Sequence, residues 1–274
     1  MPEPRTNPSL MYIRDALSRR HARSVLGGTD ASKVALLTKL LIKDYGHFES
    51  EFGGALVAAD WSTAVTAGGG PTAFAYAAVR GGTAQGATGT TDNDATAIYR
   101  TQTFLDPADN PLMIIRWKAN AVTGFSFEVG FSDPKSDEAL PGVTDVDTPA
   151  VGNGVTDILA IHMDTDQTLA TVALVGDGTT GSAAKTDITT TPGGSTGFTP
   201  TAATYQTYIL GIRANLGFAF LWDGDVLIAN QQWGVTNGPD SGVLVRPYAL
   251  FRTRNTTSKT IDIDFWGCYW ERNG

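Results

Sequence analysis

The chain has a single cysteine, Cys268, among 274 residues. A disulfide framework or a cysteine-based zinc site within one chain is therefore excluded. Charge is also scarce, at 18% of residues, while 42% are hydrophobic. That balance argues against disorder. No apolar run approaches the ~18 residues of a membrane-spanning helix. The N-terminal MPEPRTNPSL holds no apolar stretch of the signal-peptide kind, so the chain is expected to start in a cytoplasm. Nucleophile elbows, Walker loops and a GxGxxG after a strand are all missing. The three histidines, His21, His47 and His162, share no metal-ligand spacing.

The charge that is present is uneven. Residues 1–50 hold eight basic and five acidic residues, a net +3, and the remainder holds twelve basic and 23 acidic, a net −11. An acidic body repels a phosphate backbone, so nucleic acid is not an expected partner. Within residues 1–52, Ser9 could cap a helix carrying Leu10, Ile13 and Leu17. Asp30 could cap a second, Ala31–Lys43, with Val34, Leu37, Leu41 and Tyr45 on one face and Gly46 as its stop. Two short helices are marginal alone in water and need a surface. With Arg14, Arg19, Arg20 and Arg23, the segment reads as a docking element, placed against its own sandwich, a sister subunit or another protein. Gly53-Gly54 marks the boundary with a second domain, 53–274.

From about residue 55 the period becomes two. Thirty-one glycines and many threonines are the material of short strands and tight turns. Eleven strands are expected: 72–79, 95–104, 112–118, 124–131, 157–163, 169–174, 205–213, 217–222, 226–229, 243–252 and 260–270. No helical period intervenes, so the fold class is all-β, an antiparallel sandwich. Asp223-Gly224 signals a two-residue hairpin, with Phe218, Phe220 and Trp222 on one strand face. Residues 133–154 and 176–200 read as surface loops. GGTAQG (81–86) has the glycines of a phosphate-binding loop, but no helix follows to offer its N-terminus to a phosphate. Trp117 and Trp222 are expected in the core, and Trp233, in QQWGVTNG, as an exposed glycan contact.

Two acidic turns, Asp92-Asn93-Asp94 and Asp164-Thr165-Asp166, offer oxygens to calcium, though neither has EF-hand spacing. The stretch TIDIDFWG (260–267) puts Thr260, Asp262 and Asp264 on one strand face. It resembles the E-I-D-I-E-F strand of laminarinase-type glycoside hydrolases. That resemblance would make the first position the nucleophile, Asp262 its tuner and Asp264 the acid/base. Retaining hydrolysis needs two carboxyls about 5–5.5 Å apart. The nucleophile position is Thr260, which supplies no carboxylate, so a strand with both acids facing water is expected and catalysis is not.

Three further runs, GTTDNDATAIYRTQTF, PLMIIRWKAN and GFSFEVGFSDPKSDEALP, together with the hairpin Phe220–Gly224, resemble the concanavalin A-like (laminin G-like) jelly rolls of tailed-phage virion proteins. The resemblance covers residues 55–274. It implies a non-catalytic virion structural protein, a capsid decoration protein or head fibre, synthesised in the host cytoplasm and displayed on the virion surface. Its partners would be the major capsid protein or neighbouring virion subunits, gripped through Leu10, Ile13, Arg14, Leu17, Arg19, Arg20 and Arg23. It would assemble as a homo-oligomer, a trimer, with no cofactor other than calcium and no membrane. The alternative reading is a tail-associated or host-glycan-binding lectin-like module.

Overall fold

The computed structural model describes residues 45–50, 52, 56 and 59–271, apart from 79–81, 168–169, 180–181, 191–194, 214–215 and 229–232; for 45–47 and 233 it describes the backbone alone. The strands in chain order begin with β1 (Tyr45–Ser50), β2 (Trp61–Val65), β3 (Thr72–Ala77), β4 (Thr83–Ala87), β5 (Ala95–Arg100) and β6 (Leu112–Ala119). Next come β7 (Phe125–Ser132), β8 (Val143–Asp145), β9 (Ala150–Val151), β10 (Ile158–Asp164), β11 (Ala173–Asp177) and β12 (Ala184–Asp187). The last are β13 (Gln206–Arg213), β14 (Leu216–Asp223), β15 (Val226–Leu227), β16 (Trp233–Val235), β17 (Arg246–Thr253) and β18 (Thr260–Glu271).

They form two antiparallel sheets face to face. One has nine strands, ordered β15-β14-β13-β6-β18-β4-β3, with β1 on β18 and β16 on β14; the other has seven, ordered β12-β11-β10-β7-β17-β5-β2. β8 and β9 make a separate pair. β18 is long enough, about 40 Å at ~3.4 Å per residue, to pair with two strands along one edge. Ile261 and Ile263 lie against β4, and Trp266–Glu271 against β1. Among the described residues the strand layer thus begins at Tyr45, inside the segment 1–52 expected as a helical anchor, and β1 pairs along that half of β18. The stretch before it, in which two helices are expected, lies outside the described residues.

Alternation places the core. Met113, Ile115 and Trp117 of β6 point inward with Ile261, Ile263, Trp266 and Cys268 of β18. Opposite them stand Phe125, Phe127, Val129 and Phe131 of β7 with Phe251 of β17. Burial pushes the Cys268 thiol far above its ordinary value, which makes it unreactive.

Several expectations change. GGTAQG supplies most of β4, and the Phe74 ring packs directly on Gly86, where a Cβ would lie about 3.0 Å from it. The hairpin turn is Gly224-Asp225, one residue later than expected, since Asp223 still pairs with Val226. Gly224 takes φ 59°, which suits the first turn position. The stretch 133–154 is not a free loop. Lys135, Ala139, Val143 and Val146 are buried, and the segment lies over the outer face of the seven-stranded sheet. Its fastening is Glu128, which accepts from Lys135 Nζ at 3.0 Å and from the Gly142 and Val143 amides at 2.8 and 2.7 Å.

Candidate binding face

Register arranges the outer face of the nine-stranded sheet in rungs. The first runs Gln85, Asp262, Lys118, with Tyr205 beyond. The second runs Phe265, Arg116, Thr207, Trp222, Leu227. The third runs Glu49, Gly267, Ile114, Ile209, Phe220, and the fourth Tyr269, Leu112, Gly211, Phe218. One end of the face is thus polar and the other apolar.

A bulge joins the two ends. The register between β18 and β6 shifts between Ile263 and Phe265, so Asp264 is the extra residue. A bulge sets two residues against one and re-aims a side chain. Asp264 consequently reaches Arg116, Oδ2 to Nη1 at 2.9 Å. Asp262 accepts from Gln85 Nε2 at 2.7 Å and pairs with Lys118 at 3.3 Å. The Tyr205 ring lies under both cations, 4.3 Å from the Arg116 guanidinium carbon and 4.7 Å from Lys118 Nζ. The two acids do not simply face water, as the alternation alone implied: both are half-buried and paired across strands.

Burial pushes the Asp264 carboxyl up to about 6, against the pull of Arg116. Its Oδ1 has no hydrogen-bond partner among the described residues. Burial, followed by the charge of Asp264, also raises Tyr205, while Tyr205 and Asp262 hold Lys118 above its ordinary value against the effect of burial. For Asp264 the folded value exceeds the unfolded one, so the folded state binds more protons between about pH 4 and 6. Its contribution is present below that window and lost as pH rises through it. In thermal melts at pH 4, 5.5 and 7, Asp264→Asn should gain on the parent as pH rises. A gap independent of pH would contradict this.

Other candidate residues separate. Leu10, Ile13, Arg14, Leu17, Arg19, Arg20 and Arg23, and the side chain of Trp233, lie outside the described residues. Trp222 is buried, but on this outer face and not in the central core. His162 is buried beside Glu128, its Nδ1 3.6 Å from the carboxylate. In each of the two acidic turns one carboxylate is already engaged. Asp94 accepts from the Thr91 amide at 2.9 Å, and Asp164 is engaged by Arg252 at 3.1 Å and by Arg254. Among the described residues no group of three or more His, Cys, Asp or Glu is arranged to hold a metal. Arg116, Lys118, Gln85 and Tyr205 were missed. The period of two in MIIRWKAN already put Arg116 and Lys118 on one face, but it could not show which strands flank them.

No protein-family model matches the chain, and no curated protein matches it in sequence. Solved structures do match in shape. A protein of unknown function from Shewanella oneidensis MR-1 aligns with TM-score 0.50 and 10% identity, over 89% of this chain and 95% of its own. The Bauhinia forficata lectin, solved with GalNAc, aligns with TM-score 0.50 and 12% identity, over 84% and 100%. The exoplasmic/lumenal domain of VIP36, solved with Ca2+ and Man3GlcNAc, aligns with TM-score 0.50 and 11% identity, over 84% and 92%. The chain has the concanavalin A-like fold. At such identities the likeness speaks for the sandwich and its topology, and the fold serves many functions.

Proposed function

We propose that this chain is a non-catalytic, lectin-like module that binds a host-surface glycan on the polar rungs of the nine-stranded sheet. The supporting observation is the pre-paired set Gln85–Asp262–Lys118–Tyr205 with Arg116 and Asp264, held on rigid strands. Such a set presents carboxylate acceptors, ammonium and guanidinium donors and one aromatic ring at little further ordering cost. Hydroxyl-rich ligands match that pattern. The position that a retaining glycosidase would need as a carboxylate is Thr260, whose amide is held by Asn120 Oδ1 at 3.0 Å. The full-length chain should bind on a glycan array without releasing reducing sugar. Asp262→Asn and Lys118→Ala should each weaken that binding about tenfold or more, on the scale of one charged hydrogen bond. Binding indifferent to both variants, or no glycan bound, would contradict the reading.

A second reading concerns where the module is displayed, and the charge split between residues 1–50 and the rest favours it. Here the chain is a capsid decoration protein of a phage, assembled as a trimer on the virion surface. The arm containing Leu10, Ile13, Arg14, Leu17, Arg19, Arg20 and Arg23 grips the major capsid protein. Binding to the assembled shell alone would stabilise it by mass action. Removal of residues 1–30 should abolish occupancy on purified particles, and undiminished occupancy would refute the arm's role.

A further inference from the structure

On the polar rungs the unused groups are mostly donors. Asp262 has both oxygens in use, Oδ1 by Gln85 Nε2 at 2.7 Å and Oδ2 by Lys118 Nζ at 3.3 Å. Asp264 Oδ2 is taken by Arg116 Nη1 at 2.9 Å. Arg116 gives one nitrogen to that contact, and its Nε and Nη2 meet no acceptor among the described residues. Those two N–H groups point the same way from the planar guanidinium. They form the fork that receives both oxygens of one carboxylate.

The fork is set before any ligand arrives. Its guanidinium carbon rests 4.3 Å from the Tyr205 ring centroid, and Nη1 is tied to Asp264. Lys118, two residues along β6 and so on the same face, lies 4.7 Å from the same ring. The cations stand further out than the acids. The side chains of Arg116 and Lys118 are 25% and 32% exposed, those of Asp264 and Asp262 19% and 17%. A ligand meets the donors first.

Two cations and two carboxylates leave the set neutral, so an anionic ligand brings a third negative charge beside Asp264. Asp264 can yield. Burial pushes its carboxyl up to about 6, and a proton there removes the competing charge. The charged and titratable groups facing it are Arg116 and Lys118 of β6, Asp262 of β18 and Tyr205 before β13. Lys118 and Tyr205 are both raised, so Lys118 stays charged and Tyr205 neutral in mild acid. Gln85 of β4 carries no charge, and Glu49 of β1 accepts from the Tyr269 hydroxyl instead.

We propose that the polar rungs take a glycan bearing a carboxylate, a uronate or a sialate. Its two oxygens sit on Arg116 Nε and Nη2 beside Lys118, and Asp264 gates the site by its charge. This rests on the glycan-binding reading above and names the ligand class and its regulation. Binding places a negative charge beside Asp264 and favours its protonated form. A proton is taken up with the ligand, and affinity rises as pH falls through about 6. The ligand's own carboxyl, of ordinary strength near about 4, stays ionised at pH 5.

The full chain on an array of neutral, sulfated and carboxylated glycans, read at pH 5 and 7.5, tests this. Carboxylated glycans should be preferred and held about tenfold tighter at pH 5, the scale of one charged hydrogen bond. At pH 7.5 Asp264→Asn should bind them about tenfold tighter than the parent and show no pH dependence, a gain that misfolding cannot imitate. Arg116→Lys keeps the charge without the fork and should weaken them about tenfold. Preference for neutral or sulfated glycans, equal affinity at the two pH values, or a pH dependence that survives in Asp264→Asn would overturn the proposal. If Lys118→Ala still weakens binding in those cases, the glycan-binding reading stands without it. No glycan bound at either pH removes both.

Discussion

Glu128→Gln should lower the unfolding free energy by about 3–5 kcal/mol, the usual loss when one partner of a buried ion pair is removed. Glu128 has no solvent exposure, and neither does the side chain of Lys135, its partner at 3.0 Å. Its carboxylate also accepts from the Gly142 and Val143 amides and the Tyr248 hydroxyl. A glutamine keeps the volume, but its amide must point two donors into a site where Lys135, the Gly142 and Val143 amides and the Tyr248 hydroxyl already donate. Lys135, stacked 3.9 Å over the Tyr248 ring, would be left charged and without its counter-ion. Urea unfolding measures the loss. Lys135→Met alone should cost a similar amount, and Glu128→Leu with Lys135→Met less than the sum, because apolar replacement of the whole pair strands no charge. A loss under about 1 kcal/mol for Glu128→Gln would refute the account, since an unpaired buried charge costs more than that.

The acid limb follows from the same geometry. Burial alone would raise the Glu128 carboxyl, but Lys135, His162 and Tyr248 outweigh it and hold the group well below the usual carboxylate range. A depressed folded value gives stability that is present above the unfolded value, near 4.5, and is lost as pH falls below it. The gap between parent and Glu128→Gln should therefore narrow in acid. Because the two amide donors belong to the 133–154 segment, hydrogen exchange at Gly142 and Val143 should quicken first in the variant.

Much of the sandwich was legible because burial on one face forces a period of two. Leu112–Ala119 and Gln206–Arg213 were placed within a residue. Trp61–Val65 and Thr83–Ala87 were missed. β4 is built from small residues: it packs beneath the Phe74 ring, and the large side chain comes from β3. The burial of 133–154 was hidden for another reason. Val143, Val146 and Val155 have no regular spacing, and what holds them down is a carboxylate on β7. The two acids of TIDIDFWG were correctly put on one side of the sheet, but their pairing was not legible. It depends on a bulge at Asp264 and on the cations of β6, and register across strands lies beyond local pattern. The low charge of the chain helped here. With few ionic groups available, a cluster of four on one face stands out once the strands are ordered.

Trp117→Ala should destabilise the fold by about 3–5 kcal/mol, the range for deleting a large buried aromatic. Trp117 is fully buried at the centre of the sandwich. Its ring centroid lies 4.9 Å from Phe127, 5.1 Å from Phe251, 5.6 Å from Tyr208 and 6.4 Å from Phe125. Three of those partners belong to the opposite sheet, so the side chain couples the two layers, and a truncation leaves a cavity that neither sheet can close alone. The indole N–H has no hydrogen-bond partner among the described residues. Its contribution is therefore packing and not polar, and an unpaired buried donor is itself unfavourable by about 1–3 kcal/mol. Trp117→Phe removes that donor along with part of the ring, and should recover most of the loss. Denaturant unfolding of the two variants separates the cases: if phenylalanine fares as badly as alanine, the indole is held by a hydrogen bond and the packing account fails.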